Sequence, residues 1–107
     1  MKTLKFRKEL AELILAGEKT STWRIFDDKD LQTGDECMFV VAETEEIFAH
    51  AVLGEIKERK FGEMTAEDMD GHEKYASTAE MLAAFSGYYN QPITIETLVK
   101  IIKFKTT

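Results

Sequence analysis

The spacing of apolar residues changes period along this chain, and the order of those changes constrains the fold more than any single motif. Phe6, Leu10, Leu13 and Ile14 fall on one helical face, opposite Lys8, Glu9 and Glu12. Gly17 closes that helix as a residue able to enter the left-handed region. The pattern then turns strand-like. Residues 19–26 are rich in β-branched and aromatic side chains, and 37–42 form an apolar run expected to be a strand buried on both faces. Residues 47–56 alternate along a further strand that Gly54 lets bend. Asp27 to Asp30 reads as a loop and Thr33-Gly34-Asp35 as a turn. Helical signals return late. Thr65 to Asp68 is a capped single turn, and Ser77 with Glu80 is a capping box opening a helix that carries Met81, Leu82, Phe85 and Tyr88 inward. Pro92 ends that region, and residues 95–104 have strand composition. Strand and helix do not alternate regularly, so a parallel sheet is excluded. The expectation is an α+β chain: a small mixed β-barrel with an N-terminal helix and two short helices inserted before the last strand.

At 107 residues, with no repeat or linker, residues 1–107 read as one domain with enough surface to bury for a core. A single cysteine, Cys37, excludes an internal disulfide and reads as an inert core residue. No apolar run reaches the length of a membrane span, and the start returns to charge too soon for a signal peptide, so a cytoplasmic setting is expected. Fourteen Lys plus Arg face twenty Asp plus Glu, a net charge of -6. Extensive binding to a nucleic-acid duplex needs a basic face, so any such role must be local and pocket-like.

The densest polar segment is Gly17-Glu18-Lys19-Thr20-Ser21-Thr22-Trp23-Arg24, where the first helix hands over to the first strand. Strand alternation puts Thr22 and Arg24 on one face and Ser21, Trp23 and Ile25 on the other. Lys19 has the wrong parity to join Thr22 unless the glycine turn redirects it. The pattern Gly17-x-Lys19-x-x-Thr22-x-Arg24 resembles the signature of the ASCH domain, a PUA-like β-barrel family. The resemblance continues through Thr33-Gly34-Asp35, Gly71-His72-Glu73, Tyr88-Tyr89 and the closing Val99 to Phe104. It implies an RNA- or nucleoside-related role. Some small bacterial members hydrolyse N4-acetylcytidine with a lysine, a threonine and a glutamate, which fall here on Lys19, Thr22 and Glu73.

Carried over, the resemblance makes Thr22 the nucleophile, Lys19 its base, and Glu73 a proton relay or reader of the base. Arg24, Ser21, His72 and Tyr88 are the expected substrate contacts. An unperturbed lysine, with a pKa of about 10.4, is neutral less than once in a thousand at pH 7, a handicap of about 4–5 kcal/mol. Burial and Arg24 would ease that handicap, whereas an ionised Glu73 in contact would deepen it. No metal or organic cofactor is implied. The expected partner is a modified nucleoside or RNA, with a non-catalytic RNA-binding module as the alternative.

Other polar features carry less. Asp68-Met69-Asp70-Gly71 invites a calcium-loop reading, but with Gly71 as the central glycine the end positions fall on Ala66 and Ser77, neither a carboxylate. His50 reads as a partly buried structural residue and His72 as part of an exposed segment at a pocket mouth. The run from Glu55 to Lys60 reads as a solvated strand end.

Overall fold

The computed structural model describes residues 1–26, 29–72 and 74–107. Its elements are β1 (Lys2–Phe6), α1 (Lys8–Leu15), β2 (Ser21–Arg24), β3 (Glu36–Val41), β4 (Ile47–Lys60), α2 (Ala66–Met69), α3 (Thr78–Tyr89) and β5 (Leu98–Thr106), with a 3-10 turn at Phe61–Glu63. Five strands pair in the order β1-β3-β4-β5-β2. The β1–β3 pair is parallel and the other three are antiparallel. The sheet curls into a half-barrel, with β1 and β2 at its edges. The α+β class and PUA-like architecture expected from the sequence describe this arrangement, with one addition: β1 precedes the N-terminal helix, and Phe6 ends that strand rather than beginning the helix.

Two apolar clusters form the core, and β5 feeds both. Ile102 and Phe104 join Leu4, Phe6, Cys37, Phe39 and Leu53 in one, while Val99 and Ile101 join Trp23, Phe61, Met81 and Phe85 in the other. β4 makes this possible because its register against β5 shifts between Leu53 and Ile56, around Gly54. Gly54 lies at this bend, where an added Cβ would meet the Lys103 carbonyl in ordinary van der Waals contact. Two-faced burial therefore belongs to β5 more than to β3, where Met38 and Val41 are only half-buried. Cys37 is enclosed, and burial pushes its thiol up, away from the reactive thiolate.

Local side chains set the helix ends. The Glu43 carboxylate, from the β3–β4 turn, accepts the Lys8 N–H at 3.1 Å and caps α1. Ser77 Oγ accepts the Glu80 N–H at 3.1 Å at the start of α3. Around α2 the box is reciprocal: Asp68 N–H donates to Thr65 Oγ1 at 3.2 Å, and Thr65 N–H donates to Asp68 Oδ2 at 3.0 Å. Arg59 Nε, from the end of β4, donates to the same oxygen at 3.1 Å.

Asp68 is 2% exposed. Burial by itself would raise its pKa, but the Thr65 N–H and the Arg59 guanidinium outweigh burial and hold the carboxyl below the usual carboxylate value. A group whose pKa is lower folded than unfolded stabilises at neutral pH and loses that contribution as pH falls through the folded value. Asp68→Asn is therefore expected to cost about 1–3 kcal/mol near neutrality. The difference should shrink on acidification, as read by urea unfolding at neutral and strongly acidic pH. A difference that stays constant with pH would contradict this account.

Candidate active site

The two edges of the half-barrel face each other across a seam that Arg24 bridges. Its Nη2 donates to the Lys5 carbonyl oxygen at 3.0 Å, and its guanidinium lies 5.0 Å from the centre of the Phe6 ring. At this seam lies a cavity of about 280 Å³. Phe6 and Arg7 line it from the β1 side, Leu10 from α1, Thr22 to Arg24 from β2, and Phe85, Tyr88 and Tyr89 from α3, with Lys19 and His72 completing the wall.

The turn after α1 brings Lys19 in. Gly17 sits at a φ of 78°, which glycine adopts without a Cβ penalty. The N–H groups of Glu18 and Lys19 then both donate to the Leu13 carbonyl, at 2.9 and 3.2 Å. This wraps the chain back over the helix end before β2 begins at Ser21, so strand parity does not govern the Lys19 side chain. Lys19 is 2% exposed and Thr22 5%, and both line the cavity.

A second turn delivers the opposite wall. The Gly71 carbonyl accepts the N–H groups of Thr20 and Ser21, at 2.8 and 3.1 Å, and Ser21 Oγ donates to the Asp70 carbonyl at 3.1 Å. The segment at residues 70–72 is thereby stitched to the start of β2. His72 stacks on Trp23 with ring centroids 3.7 Å apart and planes 9° from parallel. Phe85 stacks on Trp23 in turn, at 5.7 Å. The indole N–H finds no acceptor among the described residues, a desolvation loss of about 1–3 kcal/mol that this aromatic packing offsets. Tyr89 Oη accepts the Ile25 N–H at 3.0 Å and ties the end of α3 to β2.

Lys19, Thr22, Arg24, His72 and Tyr88 thus meet around one hollow, whereas Ser21, fully buried, spends its hydroxyl on the Asp70 carbonyl and does not line it. Glu73 lies outside the described residues, as do Asp27 and Asp28 of the acidic loop. His72 is 8% exposed, not part of an exposed segment, because the bonds at Gly71 and the Trp23 ring enclose it. Tyr88, expected to point inward, is 46% exposed, since the core contacts at the end of α3 fall to Phe85 and Tyr89. His50 is exposed rather than partly buried. The sequence reading missed Arg7, whose guanidinium sits 4.4 Å from the centre of the Tyr88 ring. Its signal was hidden because β1 itself was not foreseen.

A second hollow, of about 530 Å³, shares Trp23 with the first but is lined by Met69, Lys74, Tyr75 and Met81 and holds neither Lys19 nor Thr22. Among the described residues no helix is long and apolar enough to cross a membrane.

No protein-family model matches the chain, and no curated protein matches it by sequence. Solved structures do. A DUF984-family protein from Enterococcus faecalis superposes with a TM-score of 0.76 at 14% identity, over 92% of this chain and 70% of that one. The hypothetical protein PH0355 gives 0.75 at 22% identity, with 100% of each chain covered. The ASCH domain from Lactobacillus crispatus gives 0.71 at 14% identity, over 98% of this chain and 79% of that one. At such low identities the shared element is the path of the chain: the curled five-stranded sheet, its N-terminal helix and its late helices form the fold of an ASCH domain.

Proposed function

We propose that the cavity binds an N4-acylated cytidine or a closely related nucleoside and hydrolyses its exocyclic amide. What supports the reading is that a buried amine and a buried hydroxyl, Lys19 and Thr22, line one hollow with an aromatic wall beside them. The Thr22 hydroxyl attacks the acyl carbon while its proton passes to the Lys19 amine in its free-base form. The Lys19 ammonium formed in that transfer stabilises the oxyanion that develops. The C–N bond then breaks, and the departing cytosine amine takes a proton, a transfer assigned to Glu73 by resemblance to the family. Water then attacks the acyl–threonine ester, its proton passing to Glu73, and Lys19 returns its proton to the Thr22 oxygen as the carboxylic acid leaves, which resets both groups. His72 and Trp23 supply the flat surface along the wall.

Incubating the protein with N4-acetylcytidine should release cytidine, detected by chromatography, well above the level given by a Lys19→Ala variant. Wild-type turnover no higher than that of the variant would overturn the hydrolase reading.

A further inference from the structure

Resting on that reading, we propose that the ligand enters in phosphorylated form, as a nucleoside 5′-monophosphate, with its phosphate at the cavity mouth on Arg7 and Arg24. The chain as a whole carries a net charge of -6. Four cations, Lys5, Arg7, Lys19 and Arg24, are among the described residues that line the cavity. The cations are also graded in depth. Lys19 is buried beside Thr22, Arg24 is half-buried and Arg7 is exposed. The amine needed for chemistry thus lies inside, and the guanidinium groups suited to an anion lie towards solvent.

Arg7 carries the argument furthest. It occupies the N-cap of α1, yet its side chain makes no capping bond, and the Glu43 carboxylate already serves that helix end. Among the described residues Arg7 forms no ion pair, although twenty acidic residues are in the chain. It is held over the Tyr88 ring instead. Stacking on an aromatic face leaves the edge of a guanidinium, with its fork of N–H donors, directed outward for a bidentate acceptor. Arg24, fixed by the Lys5 carbonyl and the Phe6 ring, supplies a second planar cation on the facing strand. Two guanidinium groups match a phosphate dianion in charge and donor geometry. The volume of about 280 Å³ falls at the small end of ligand pockets, enough for one nucleotide and too little for an oligomer.

The test is calorimetric titration of cytidine 5′-monophosphate, cytidine and inorganic phosphate into the wild-type protein and Arg7→Gln, at low and high salt. The monophosphate should bind at least roughly tenfold more tightly than cytidine at low salt. Salt should erode that preference, and Arg7→Gln should remove most of it, weakening the monophosphate far more than cytidine; Arg7→Lys should restore part. Equal binding of the two ligands, or a preference untouched by Arg7→Gln, would overturn the proposal. So would a hexacytidylate that binds far more tightly than the monophosphate, which would point to a polymer instead. Deacylation of N4-acetylcytidine without any phosphate preference would remove only this inference. Absence of both cytidine binding and turnover would remove the hydrolase reading along with it.

Discussion

Replacing Gly71 by alanine is expected to destabilise the fold by about 2–3 kcal/mol and to disturb the cavity as well. Two effects add. The residue sits at a φ of 78°, a left-handed conformation that charges any Cβ about 1–2 kcal/mol. The new methyl would also collide with Thr20 Oγ1, closer than real carbon atoms approach. Thr20 is exposed and can turn about χ1 to put a hydrogen there, so relief costs about 0.5–1.5 kcal/mol of rotamer strain rather than a backbone shift. Gly17 provides the control, since its φ is also 78° but nothing lies within 4 Å of the added Cβ. Gly17→Ala should thus show the conformational part alone. A Thr20→Ala, Gly71→Ala double variant should recover the steric part, giving a coupling energy in urea unfolding. Because the Gly71 carbonyl holds the N–H groups of Thr20 and Ser21, Gly71→Ala should also shift the resonances of His72 and Trp23. Equal losses for Gly17→Ala and Gly71→Ala would contradict the close approach.

The fold was legible where a pattern is local and obscure where pairing decides. Thr65 with Asp68, and Ser77 with Glu80, are short-range capping signals, and both operate in the structure. β1 was not legible, because Lys2–Phe6 offers only two apolar positions, Leu4 and Phe6, and Phe6 also matches the helical spacing to Leu10. What makes it a strand is parallel pairing to Cys37–Val41, some 35 residues away. The start of β5 misled for a different reason. Residues 95–97 were expected to open it, but Thr94 N–H donates to Thr97 Oγ1 at 3.0 Å and Thr97 N–H returns to the Thr94 carbonyl at 3.1 Å, closing a turn that delays the strand to Leu98. The same contrast holds around the cavity. Alternation along β2 places Thr22 and Arg24 on one face, whereas the position of Lys19 follows from how the chain wraps over the end of α1. Arg7 reaches the cavity only because β1 and β2 form opposite edges of one curled sheet, a relation no local spacing encodes.

Replacing Lys19 is expected to reduce turnover strongly, and the choice of replacement decides what the result means. Alanine removes the nitrogen but also leaves a void at a site that is 2% exposed. Methionine keeps most of the stem volume and removes only the charge-bearing end. If the amine takes the Thr22 proton, both variants should lose about 10²–10⁴ in kcat/KM for N4-acetylcytidine, the range for a positioned general base. That corresponds to about 3–5 kcal/mol of transition-state stabilisation. If Lys19 only fills space, Lys19→Met should stay near wild type while Lys19→Ala falls. Stability separates the cases further, because methionine keeps the stem packing that alanine loses. Lys19→Met should therefore unfold in urea later than Lys19→Ala while being nearly inactive. Retained turnover in Lys19→Met would remove the amine from the chemistry and leave Thr22 without its proposed base.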